Sequence, residues 1–128
     1  MNYLFMCEAH SVQAGKHTYY AIFDKIYVSK FPAAHPKLHI AAEIEGDPDT
    51  TVYVRLALRN SDETDVMPAQ KPMSVPLSAF GTCTIQMDIQ GLPLPKAGIY
   101  EIHLLQSDRV VGRRKLYVEP LPKGGQQP

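Results

Sequence analysis

From Thr51 to Arg59 every second residue is apolar: Val52, Val54, Leu56 and Leu58 alternate with Thr51, Tyr53, Arg55, Ala57 and Arg59. Side chains of a strand point to opposite faces with period two, so this stretch predicts a strand with one face in a core. The same period recurs along the chain. Leu38, Ile40, Ala42 and Ile44 predict a core face against His39, Glu43 and Glu45, and Cys83, Ile85, Met87 and Ile89 predict another between Gly81 and Gln90. Tyr100, Ile102 and Leu104 open a closing hairpin over Gly98–Val118, in which Ser107-Asp108 supply the turn and Gly112 marks an irregularity before Leu116 and Val118. Tyr3–Ala9 is apolar on both faces, which predicts a central strand.

The breaks are as informative as the runs. Gly15 permits the positive φ of a turn at Gln13–Lys16. Thr18–Lys30 fits a helical stripe (Tyr19, Ile22, Phe23, Ile26, Tyr27) and equally a strand face interrupted at Asp24. Its aromatic and β-branched side chains lose rotamer freedom in a helix, so two short strands or one bent strand are expected. Asp24 then marks the bend or bonds neighbouring backbone N–H groups. Prolines predict a loop over Phe31–Pro36, a corner at Leu92-Pro93-Leu94-Pro95 and a long connection over Asn60–Ala79, with a short edge strand near Val75. The sum is an all-β chain of seven or eight strands, an antiparallel β-sandwich of immunoglobulin-like or related topology. Gly98-Ile99-Tyr100 resembles the tyrosine corner of such sandwiches. A single domain is expected over residues 1–119, followed by a flexible tail over 120–128.

Thirteen basic and thirteen acidic residues cancel, so no global field favours duplex nucleic acid or an anionic membrane. No apolar stretch has the length to span a bilayer, and Met1–Glu8 lacks the basic lead and apolar core of a signal peptide. Leu4-Phe5-Met6-Cys7 carries bulky residues where a lipoprotein site needs small ones. Cys7 and Cys83 both fall inside strand-like runs, where a thiol acts as a small hydrophobe, so free structural thiols and a reducing, cytoplasmic location are expected.

Motifs that carry chemistry are missing. Five histidines include His10 and His17 near Cys7, and His35 and His39 four apart, but no tight ligand pair supports zinc, and Asp47, Asp49, Asp62, Glu63 and Asp65 follow no calcium-loop pattern. Neither a metal nor a cofactor is expected. There is no nucleophile elbow, P-loop or dinucleotide glycine pattern, so the chain reads as no enzyme. Arg109, Arg113, Arg114 and Lys115 form a basic cluster that could hold a phosphate or an acidic partner; the favoured reading is an edge strand that charge guards from aggregation. Outward-facing Tyr53, Arg55, His103, Leu105 and Tyr117 mix aromatic, Arg and aliphatic groups as interface cores do, and are the candidate binding residues; a loop around Met67–Leu77 covering them is the alternative. The leading expectation is a non-enzymatic binding or scaffold domain that recognises a protein partner, or itself, through an outer sheet face or an edge strand. The alternative is a small-ligand or carbohydrate-binding sandwich using its seven tyrosines in the absence of Trp. A hydrolase with an unrecognised site ranks last.

Cys7-Glu8, Gly15-Lys16, Ile22-Phe23-Asp24-Lys25-Ile26, Phe31-Pro32 and Gly98-Ile99-Tyr100 together resemble an uncharacterised family of small bacterial proteins, a domain of unknown function. Glu8 and Ala21 stand where that pattern has Asp and Gly. The resemblance implies a single-domain bacterial β-sandwich with a strand before Asp24, and brings no activity or ligand.

Overall fold

A computed structural model describes residues 3–68 and 70–121. Nine strands account for the regular structure among them: β1 (Leu4–Gln13), β2 (Lys16–Phe23), β3 (Lys25–Val28), β4 (Ala33–Glu45), β5 (Thr51–Arg59), β6 (Met73–Pro76), β7 (Thr82–Leu94), β8 (Gly98–Gln106) and β9 (Arg109–Pro120). They form two sheets, a four-stranded one in the order β2-β1-β4-β7 and a five-stranded one in the order β3-β9-β8-β5-β6. Neighbours pair antiparallel except β3 and β9, which run parallel. The order β9-β8-β5-β6 is the G-F-C-C′ order of a variable-type immunoglobulin sheet, with β4 and β7 standing as B and E. Among the described residues no helix is long and apolar enough to cross a membrane.

The core is the sum of the alternating faces. Leu38, Ile40, Ala42 and Ile44 of β4 meet Val54, Leu56 and Leu58 of β5, Tyr100, Ile102 and Leu104 of β8, and Leu116 and Val118 of β9, all at 2 % exposure or less. Met6 joins them from β1, and Cys7 on the opposite face of that strand is 1 % exposed, so this part of β1 is buried on both sides. Tight turns close the hairpins. Ala14 and Gly15 take φ of 50° and 73°, Ser107 and Asp108 take 51° and 61°, and two successive positive φ values match the twist of the flanking strands. Across β8–β9 Leu104 pairs with Gly112 but Leu105 with Val110, so Val111 is the extra residue of a bulge beside the expected irregularity.

The ambiguous segment resolves into two strands, because the chain changes sheets at Asp24. Its carbonyl accepts the Tyr117 N–H at 2.8 Å, handing the chain from β1 to β9 through one residue outside both ladders. Asp24 is exposed, not on a buried face. The edge strand expected near Val75 is β6, paired with β5.

Two proline-based expectations fail. Phe31–Pro36 is not a loop throughout: after a cis Phe31–Pro32 bond, β4 starts at Ala33 and runs through Pro36. Leu92–Pro95 is not a corner either, since β7 continues to Leu94 with Leu92 and Leu94 buried. Proline is tolerated where its missing N–H is not required. Pro36 faces Gly91 at a position where the β4–β7 register has no rung, and Pro93 lies on an edge strand. Of the residues expected to form the flexible tail, Pro120 instead ends β9, and the Leu121 N–H bonds the Val28 carbonyl at 3.0 Å. The rest of that tail, residues 122–128, lies outside the described residues.

The tyrosine corner is real. The Tyr100 hydroxyl donates to the Lys96 carbonyl at 2.6 Å and accepts the Lys96 N–H at 3.3 Å, with the ring 1 % exposed. Tyr100→Phe removes both bonds and is expected to lower unfolding free energy in urea by about 1–2 kcal/mol; an unchanged midpoint would show that the corner ties nothing. Ala21 sits at φ 54°, the left-handed region that a Cβ disfavours. Ala21→Gly is therefore expected to raise stability by ~0.5–1 kcal/mol, relief of strain outweighing the greater freedom of glycine in the unfolded chain.

Candidate functional site

The site arises where β1 parts from β4. Leu4–Cys7 pair with Ala42–His39, and the Glu43 N–H donates to the Tyr3 carbonyl at 3.1 Å. At Glu8 the pairing stops, and the β1–β2 ladder also skips the rung between Glu8 and Ala21. The hairpin then folds over the outer face of its own sheet. Tyr19 meets Phe5 edge-on at 4.9 Å between ring centroids, and the Gln86 amide of β7 lies 3.5 Å from the Tyr19 hydroxyl. Ala41, the ladder partner of both Phe5 and Gln86, is left 1 % exposed beneath them. His10 and His17 stack on the same cluster with ring nitrogens 3.0 Å apart. Burial raises the pKa of both Tyr19 and the free Cys7 thiol.

Because the hairpin leaves, Ala33–Leu38 of β4 has no ladder partner on that side. N–H groups of a strand alternate in direction. Since the Glu43 N–H points at β1, those of Lys37, His35 and Ala33 point at the vacated edge, whereas the N–H that Pro36 lacks would have pointed at β7. Beside this edge runs a groove toward β3. Its larger part, about 450 Å³, is lined by Glu8, Phe23, Lys25, Ile26, Tyr27, His35, Pro36 and Lys37. A second part of about 260 Å³ continues past Ser29 and Lys30. The first volume falls within the usual range of ligand sites. Lys25 and Lys37 have loose carboxylate partners, Glu119 and Asp88, each at 3.8 Å and exposed.

The residues proposed from sequence lie elsewhere, on the outer face of the five-stranded sheet. Strand order β9-β8-β5 does bring Tyr53, Arg55, His103 and Leu105 together: Arg55 pairs with Leu105 and Ala57 with His103. Tyr53, Arg55 and Leu105 share a cavity of about 130 Å³ with Pro72, Ser107 and Asp108, and the Arg55 Nε donates to Asp108 Oδ1 at 3.2 Å. Tyr117 is placed apart. It pairs with Ile99, six positions along β8 from Leu105, or roughly 20 Å at strand rise. Exposure divides the group further, with Tyr53 54 % exposed but His103 and Leu105 at only 5 % and 4 %. The His103 Nε2 donates to Glu101 Oε1 at 2.8 Å, and Nδ1 has no partner among the described residues. The basic cluster lies on β9, whose Arg109–Lys115 half has an open edge because β3 pairs only with Tyr117–Pro120. Among the described residues no three His, Cys, Asp or Glu side chains gather into a metal-holding group.

A model of a family of unknown function, DUF6941, matches residues 2–119. The chain belongs to DUF6941. No curated protein matches it. In this DUF6941 protein, Glu8, Phe23, Lys25 and Ile26, four of the residues on which the resemblance was read, line the groove. The positive φ of Ala21 explains why a glycine suits that position. His35, Lys37 and Tyr27 were missed as site residues. Their parity on β4 and β3 is readable, but that β1 deserts β4 is a tertiary fact with no local signal.

Two groups make stability depend on pH on the acid side of neutrality. Burial pushes the His35 pKa below 6.5, outweighing a hydrogen bond with the Lys37 backbone and the Glu8 charge. The unfolded chain therefore binds the proton more tightly, and stability falls as pH drops through and below the ordinary histidine range. The His103 hydrogen bond lowers the Glu101 pKa from 4.5, which adds stability above that value, lost as pH falls below it. His35→Gln should flatten the urea-unfolding profile between about pH 7 and about pH 5 while leaving the acid limb, where Glu101 acts. An unaltered slope over that interval would contradict the assignment.

Proposed function

We propose that this domain is a non-enzymatic binding module that takes an extended segment of a protein partner along the vacated edge of β4. One observation carries the reading: three backbone positions, Ala33, His35 and Lys37, present N–H and C=O groups to the two-part groove and not to a neighbouring strand. Main-chain pairing to such an edge gives affinity, and pockets for alternate side chains give selectivity. The outer face around Tyr53 supports the reading less, because His103 and Leu105 are already covered. The groove volume also favours one second reading, a small polar ligand or sugar held by Glu8, Tyr27, His35 and the lysines. The free thiols and the bacterial family resemblance suit a bacterial, cytoplasmic protein.

The test is capture from the lysate of its own host by immobilised wild type, by His35→Pro and by Tyr53→Ala, each first verified as folded. His35→Pro deletes an edge-facing donor next to an existing proline. A partner retained by Tyr53→Ala and lost by His35→Pro is the expected result. Retention by His35→Pro with loss by Tyr53→Ala would move the interface to the outer face, and capture of nothing would favour the small-ligand reading.

A further inference from the structure

We infer that the segment received by this edge is acidic and apolar in alternation, its carboxylates meeting the lysines of the groove; this rests on the strand-addition reading above. Lys25, Lys30 and Lys37 line the two parts of the groove against a single carboxylate there, Glu8, so the local balance is basic although the whole chain is neutral. The carboxylates nearest Lys25 and Lys37, those of Glu119 and Asp88, lie outside the lining, are themselves exposed and hold their lysines only loosely. Such pairs contribute little and exchange readily for a better-placed carboxylate.

Alternation follows from register. Even-numbered residues of β4 such as Leu38 and Ile40 face the core, so His35 and Lys37 face outward. A strand laid against β4 sets one face beside these outward side chains, where opposite charges across neighbouring strands attract. Its other face turns inward, toward buried Ile26 and half-buried Phe23, where apolar side chains fit. Six residues of open edge, Ala33–Leu38, match a segment of about six residues, or roughly 20 Å.

The probes are three blocked hexapeptides, each with three repeats: glutamate-valine, lysine-valine and glutamate-serine. Binding is followed by amide shifts and hydrogen exchange of the full chain. The glutamate-valine peptide is expected to bind, to slow exchange at Ala33, His35 and Lys37, and to weaken as salt rises. Lys37→Glu and Lys30→Glu, both exposed and away from the core, should each weaken it by about tenfold. Protection of the same amides by the lysine-valine peptide with equal affinity would overturn the acidic selectivity and leave the open edge standing. Equal binding of the glutamate-serine peptide would overturn the apolar half of the pattern. Binding of the glutamate-valine peptide without protection of these amides, or no binding by any peptide, would overturn strand addition itself.

Discussion

A backbone N–H or C=O has to find a partner, in another strand or in water, and in this molecule one strand is left half-supplied. β4 has β7 along its whole length but β1 along only Leu4–Cys7. The departure of β1 at Glu8 decides three things together. It sends the β1–β2 hairpin across the outer face, where Tyr19 and Phe5 bury Ala41. It returns the chain to the second sheet at Asp24, where the Tyr117 N–H receives it. It also opens the groove between the deserted edge and β3. A straight β1 would have paired with Ala33–Leu38, and neither the covering hairpin nor the groove would exist.

The alternating residues made most of the sheet legible. Val54, Leu56 and Leu58, like Leu38, Ile40 and Ile44, point into the core as their spacing predicts, because burial of one face fixes register. Ser107-Asp108 and Tyr100 were readable for a related reason: a turn and a corner are local, and their residues act within a few positions of themselves. The prolines misled because their effect depends on direction. Pro36 and Pro93 break a strand only if the missing donor was needed, which depends on neighbours set by the fold. The site was the least legible part. Glu8, Lys25, His35 and Lys37 come from three separate strands, and only the shared absence of β1 makes them neighbours.

Both outer faces are more enclosed than alternation alone implies. Ala41 on one sheet and Ala57 on the other occupy outward positions yet are 1 % and 6 % exposed. On the first sheet the hairpin provides the cover. On the second, Pro72 lines a cavity with Tyr53, Arg55 and Leu105, so the connection between β5 and β6 lies against that face. Small residues at these positions let covering segments approach closely. The His103–Glu101 pair is enclosed with them, its ring oriented by a carboxylate that retains some contact with water.

The direction of Pro36 bears on how copies of the domain behave toward one another. Edges are commonly protected from self-pairing by a proline whose missing donor faces outward, and here the missing donor faces inward. Protection must then come from charge. Two such edges brought together would put Lys37 of each molecule on a shared ladder, with Lys25 and Lys30 of each groove close by, and like charges so placed repel. The lysines that make two copies of this edge mutually repulsive are thus the same ones on which the proposed preference for an acidic segment rests.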